Sequence, residues 1–229
     1  MYKAGSVWST TMGHVGPPQF PGYAGYQVRA FEVLAAQTVD GLEAAPVQQS
    51  TSGYAHSVEQ LGVAYPSNWR FWRINDGTRQ MVASKDPDTV LMRPVVARYS
   101  PPIGFPVALT QGQEYAVTTE VRTAVAAAPG ASLAETEPAP PRSATYRMTY
   151  LGRETVTVPA GTFETCRFRL PYDNMSYVPT ADGSVVQEWV VASGVYRGVT
   201  VKTSANHSPS GDPAQATVWE ALRVTAEFK

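Results

Sequence analysis

The chain has 229 residues, of which 43% are hydrophobic and only 16% charged, the latter well under the roughly 25% of an average soluble domain. Its net charge is −1, with basic and acidic residues balanced in both halves, so nothing marks it for nucleic acid or for an anionic membrane surface. The length suits one large β domain or two small ones, no run approaches the roughly 18 apolar residues of a membrane-spanning helix, and the lone Cys166 excludes a disulfide framework within the chain.

The opening residues, Met1 to Gly5, lead straight into polar sequence with no export signal. The expectation is that Met1 stands where a removed signal ended. Residues 26–34 alternate apolar and polar and predict a strand. A helix over 30–44 is disfavoured by Thr38, Val39 and Gly41. Residues 54–65 predict a second strand, ended by Pro66. Residues 69–75 predict a third, and the Asp76-Gly77 pair turns it into Gln80, Met81 and Val82. Asp86-Pro87-Asp88 reads as a turn. A β-branched run at 89–99, interrupted by Pro94, predicts an edge or bulged strand. Residues 100–112, with Pro101, Pro102, Gly104, Pro106 and Gly112, read as a loop, and 113–125 as a long strand.

Residues 126–142 are rich in Ala, Pro and Glu. They are read as a mobile loop inside a single β domain spanning 1–229, in preference to a linker between two β halves. Strands follow at 144–151 and 153–158, then a Pro159-Ala160-Gly161 turn and a return strand at 162–170. In that hairpin Val156 and Val158 share a face. Cys166, Phe168 and Leu170 lie on one face of the return strand, and Arg167 and Arg169 on the other. Asp182-Gly183 turns into a strand at 185–192. Gly194 and Gly198 break the chain before Val199 and Val201, a polar loop covers 204–215, and a last strand covers 217–228. The expected fold is mostly β with little helix: about ten strands in a curved antiparallel sheet or partly closed barrel.

Two segments carry a family pattern. Residues 152–168 read Gly-Arg-Glu-Thr-Val-Thr-Val-Pro-Ala-Gly-Thr-Phe-Glu-Thr-Cys-Arg-Phe, and residues 188–202 run from Glu188-Trp189 through Gly194-Val195 to Gly198 and Lys202. Together they resemble a group of uncharacterised bacterial exported proteins that share G-x-E-x-V-x-V-P-A-G-T-F, a tryptophan strand and G-V-x-x-G-x-V-K. The segment from Pro102 to Gln113 is similar to a proline-rich lead-in of the same group. Tyr196-Arg197 stands where a shorter glycine-rich turn is commoner. The resemblance implies a curved antiparallel sheet distantly like the half-barrel of lipoprotein carriers, and a periplasmic or secreted location with the signal removed. It brings no catalytic residues.

Chemistry-bearing patterns are scarce. His14, His56 and His207 lie far apart without ligand spacing, so no metal site or cofactor is predicted. No Gly-x-Ser-x-Gly elbow or phosphate-binding glycine loop occurs, and no catalytic residue is assigned. The notable set is aromatic: Trp69, Phe71 and Trp72 on one short strand, with Trp69 and Phe71 on one face and Trp72 on the other. These three are the candidate binding residues, against the alternative of core packing, and Trp189 is read as core. The leading functional expectation is a noncatalytic envelope protein carrying a hydrophobic small molecule on the concave sheet face. The alternatives are an accessory subunit that binds a protein partner, and an enzyme with a dispersed active site.

Overall fold

The computed structural model describes residues 3–15, 25–51, 68–87, 94–106, 108–126, 135–171, 185–206 and 216–229. Among them are fourteen strands and no helix. The strands are β1 (Val7–Val15), β2 (Tyr26–Val33), β3 (Gln37–Val39), β4 (Leu42–Thr51), β5 (Asn68–Asn75), β6 (Thr78–Pro87) and β7 (Pro94–Pro106), followed by β8 (Glu114–Ala126), β9 (Glu135–Pro138), β10 (Arg142–Val158), β11 (Gly161–Pro171), β12 (Val185–Val191), β13 (Thr200–Asn206) and β14 (Thr217–Glu227). Every pairing is antiparallel. The order runs β10-β11-β12-β13-β14-β1-β2-β4-β5-β6-β7-β8, and β8 bonds back to β10, so twelve strands close into a barrel. Closure satisfies the edge N–H and C=O groups that an open sheet would leave exposed. β3 pairs with β4 and β9 with β8, both off the ring.

The all-β expectation holds, with fourteen strands in place of about ten and with full closure. The Asp76-Gly77 turn forms as expected. Both residues have positive φ, 45° and 66°, as a two-residue hairpin turn with right-handed twist requires. The same dipeptide, Asp40-Gly41 with φ of 48° and 76°, joins β3 to β4, a hairpin not anticipated. β1 was not anticipated either.

Three boundaries differ from the sequence reading. The expected loop at 100–112 is strand as far as Pro106. Met81 pairs with Ile103 while Ala83 pairs with Arg98, so Pro101 and Pro102 fall in a bulge where β6 asks them for no N–H. The strands expected at 144–151 and 153–158 are one strand, β10, which pairs with β8 through Thr149 and with β11 beyond it. Leu151 is the extra residue of its bulge, and Gly152 follows at φ 121°. Of the polar loop expected at 204–215, residues 204–206 belong to β13 and 207–215 lie outside the described residues. In the 126–142 stretch, β9 and the start of β10 both lie against β8, so its flanks are neighbours in one sheet. The strand expected at 54–65 and the Asp182-Gly183 turn lie outside the described residues.

Most of the core is inside the barrel. Trp8, Val33 and Val199 pack with Phe31, Val47 and Phe228. Met12, Trp219 and Ala221 pack with Val158, Val191 and Val201. This second cluster draws in the β10–β11 hairpin end: the Ala160 N–H donates to the Ala221 carbonyl, and Val156 and Phe163 pack against the same group. Ala97, Tyr99, Ile103 and Val121 form a third cluster. A fourth lies on the outer side of the wall, where β3 and β4 fold over β5 and β6 and enclose Phe71, Val82 and Ala83 beneath Val39 and Ala44. An Asp40–Arg98 ion pair at 3.2 Å ties this flap down.

Candidate functional site

Residues paired across strands share a face, and alternate residues along a strand change face. Following the register from the buried Trp8 therefore maps the inner wall. Trp8 pairs with Phe31 and Thr10 with Arg29. Val47 pairs with Arg70 and Ala45 with Trp72. On the far side Trp219 pairs with Thr203, Thr203 with Glu188, and Glu188 with Phe168. Glu188, Arg29, Arg70 and Trp72 are thus lumen residues.

The lumen is not uniformly filled. Met12, Val33, Ala97 and Val121 are buried at 1% exposure or less. Arg29, Gln49, Asn68, Trp72, Phe168 and Glu188 also face inward, yet each keeps part of its surface accessible. The inward face of the described wall thus has fully buried positions and positions that keep accessible surface.

Two arginines act on the Glu188 carboxyl. Burial raises the pKa of the Glu188 carboxyl, and the positive charges of Arg29 and Arg79 pull it back down. Around the ring, Arg29 lies four strands from Glu188, Arg79 three strands from Arg29, and Glu188 five strands from Arg79. At about 4.8 Å per strand, four steps along the wall exceed a Debye length of roughly 8 Å more than twofold. Both arginines nevertheless act on Glu188 from other strands. Arg29 Nε donates to Gln27 Oε1 at 2.8 Å, which orients its guanidinium. The Arg79 guanidinium lies over the Trp72 ring, 3.9 Å from its centroid.

A second polar group lines the wall nearby. Arg70 Nη1 donates to Asp86 Oδ1 at 2.6 Å. The buried hydroxyls of Ser84 and Tyr99 are 3.0 Å apart, and the Tyr146 ring meets Tyr99 edge-on at 5.9 Å. Burial pushes the Tyr146 phenol well above its ordinary range, Tyr99 adds to this, and Arg142 and Arg70 oppose it. Tyr146 therefore stays protonated and acts as a neutral hydrogen-bonding group.

The aromatic set named from the sequence is divided by the wall. Trp69 and Phe71 share the outer side with ring centroids 6.3 Å apart. Phe71 is completely buried under the β3–β4 flap and has no surface to offer a ligand. Trp69 is half-buried with Lys85 Nζ 5.0 Å from its centroid, and Trp72 faces the lumen. Trp189 is buried, as expected of a core residue, and it carries a polar cover: its indole N–H donates to Glu154 Oε1, and Arg167 and Lys202 lie 5.0 Å and 5.5 Å from its ring centroid.

Asp86 is a strand residue paired with Val95, which corrects the turn read at 86–88. His14 stands edge-on to Trp219 at 5.5 Å, and His56 and His207 lie outside the described residues. Among the described residues no group of three or more His, Cys, Asp or Glu side chains is placed to hold a metal ion. No helix long and apolar enough to cross a membrane occurs among them. On the outer side of β14, β1, β2 and β4 a shallow groove of about 500 Å³ runs over Ser9, Ala30, Ser50 and Thr225 between Glu32 and Glu227. Its floor is small side chains on a solvent face, and it does not reach Arg29, Arg79 or Glu188.

Sequence reasoning missed Glu188, Arg29 and Arg79. The signal for one of them was present: Val186, Glu188 and Val190 share a strand face, and a carboxylate between two valines marks an apolar face interrupted by a charge.

No protein-family model matches the chain, and no curated protein matches it. Two solved structures match over nearly its whole length. A protein of Parabacteroides distasonis described as a candidate lipoprotein is 11% identical, with 98% of this chain and 96% of that chain covered and a TM-score of 0.48. A Bacteroides fragilis protein, described as a candidate exported protein with a YmcC-like fold, is 12% identical, with 98% and 97% covered and a TM-score of 0.49.

Proposed function

We propose that this chain is a noncatalytic binding protein of the bacterial envelope, periplasmic or secreted, that holds an apolar small molecule inside its barrel. The observation that supports the reading is that Phe168, Trp72 and other inward side chains keep accessible surface although the strands around them close into a ring. Ligand pockets are enclosed, mainly apolar spaces with a few placed polar groups, and the inward face combines aromatic rings with a small set of half-buried charged side chains. The envelope location rests on the resemblance carried by residues 152–168 and 188–202.

Native mass spectrometry of protein purified without detergent from its own cells tests the reading. The expected result is a bound small molecule that leaves on denaturation. A clean polypeptide mass, with no uptake of a sixteen-carbon alcohol or acid in titration, overturns it. Fractionation of the same cells tests the location, which fails if the protein stays with the cytosol.

A further inference from the structure

We infer that the ligand enters and leaves through the side of the barrel, along a seam between β7 and β8. The inference deepens the carrier reading and rests on it. The two strands pair only from Val95 with Val125 to Ser100 with Glu120. β7 runs on to Pro106 and β8 begins at Glu114, yet among the described residues these two stretches share no ladder. The cause is the long bulge of β7. Its residues 99–102 stand opposite the single Val82 of β6, and Pro101 and Pro102 have no N–H to offer β8. Where the ladder stops, a side chain takes over: the Thr119 hydroxyl donates to the Pro101 carbonyl at 2.6 Å.

Each bank of the seam is anchored on its far side. β7 stays on β6 through Pro106, and β8 stays on β10 from Glu114 to Val121. The connecting chain is held on the β10 side as well: the Gly112 N–H donates to the Tyr150 carbonyl at 2.7 Å, and Gln111 Nε2 to the Leu151 carbonyl at 3.1 Å. Parting β7 from β8 beyond Ser100 therefore breaks no strand pairing, whereas parting a paired stretch of the ring strips bonded N–H and C=O groups. The inward side chains change at the same level. Tyr99, Ile103, Thr119 and Val121 are buried. The next inward residues, Phe105 on one bank and Val117 and Tyr115 on the other, keep accessible surface. Met81, paired with Ile103, and Tyr146, paired with Val117, flank them half-buried. An apolar molecule crossing the seam thus meets apolar and aromatic surface on both banks.

The test is the rate at which the whole protein takes up and releases cis-parinaric acid, a fluorescent fatty acid, followed by stopped flow. Gly104 and Ala116 alternate with the inward residues and so lie on the outer side of the two banks, in the register the β7–β8 ladder would keep if it ran on. Gly104→Cys with Ala116→Cys, in a Cys166→Ser background, staples the seam from outside. A Cβ at Gly104 would stand 2.9 Å from Thr78 Cγ2, a cost that the reduced form shares and therefore controls. The oxidised form is expected to take up and release the probe about tenfold more slowly at unchanged affinity, and reduction to restore both rates. Equal rates in the two forms overturn the side entry and leave the carrier reading standing. No binding by either form or by the wild type overturns the carrier reading and this inference together. If the variant does not fold or the staple does not close, hydrogen exchange of the wild type decides. The amides of residues 103–105 and 114–118 that face the seam are then expected to exchange faster than those joining β1 to β14. Equal protection overturns the inference.

Discussion

The Arg79 guanidinium lies 3.9 Å from the centroid of the Trp72 ring. The pair sits near the Asp76-Gly77 turn, with Arg79 diagonal to Trp72 across β5 and β6. That turn sets the register, and the register brings the two side chains onto one face. A cation over an indole face is worth about 0.5–1 kcal/mol at an accessible site. Arg79→Gln should lower stability by that amount, read as a shift in urea midpoint with unchanged slope. No shift would mean that the stack contributes nothing measurable to the fold.

Phe71 on the outer face behaves differently from its two tryptophan neighbours. It is fully buried between the β3–β4 flap and the wall. Phe71→Ala should cost about 3–5 kcal/mol, while Phe71→Leu should cost under about 1.5 kcal/mol because most of the volume is kept. Urea unfolding of both variants measures this. A cost of only a few tenths for the alanine would show that the flap does not close over this ring in solution.

Gly152 holds φ at 121° at the β10 bulge, a conformation L side chains rarely adopt. A Cβ there would stand 2.6 Å from Gln111 Nε2, the end of a flexible side chain that can move away, so the backbone strain is the lasting penalty. Gly152→Ala should therefore cost about 1–3 kcal/mol, measured by thermal unfolding. Gln111→Ala in the same background should recover little of it.

Glu188 gives a pH prediction. Its folded-state pKa is raised by burial, with Arg29 and Arg79 opposing, so between the ordinary carboxylate value and the folded value the native state binds more protons than the unfolded state. Stability then falls as pH rises through that window. Glu188→Gln should remove this fall. The stability difference, variant minus wild type, should grow from pH 4 toward neutrality and level off above the folded pKa. Urea midpoints across that range check the sign. A difference that shrinks with rising pH would mean that the arginines, not burial, dominate the carboxyl.

How much of this was readable in advance differs by element. The β10–β11 hairpin was legible because Val156, Val158 and the Pro159-Ala160-Gly161 turn act within a dozen residues. The face assignments of Phe168 against Arg167, and of Trp69 with Phe71 against Trp72, follow from alternation and hold in the barrel. The Asp40-Gly41 turn carried the same signal as Asp76-Gly77, but Gly41 entered the reading only as evidence against a helix over 30–44. The bulge at Leu151 and the longer one between Arg98 and Ile103 were invisible, since a few extra residues change no composition.

The sequence by itself determined the strand-rich class, the local turns and which side chains share a face, because these depend on steric preferences and period-two alternation over a few residues. It could not say which face becomes the inside. That was decided only when β8 bonded to β10 and closed the ring, which turned Trp72 toward the lumen and Phe71 beneath a flap. Nor could it show that Arg29 and Arg79 act on Glu188. They stand up to 159 positions apart in the chain, and only strand order and closure fix distances of that kind.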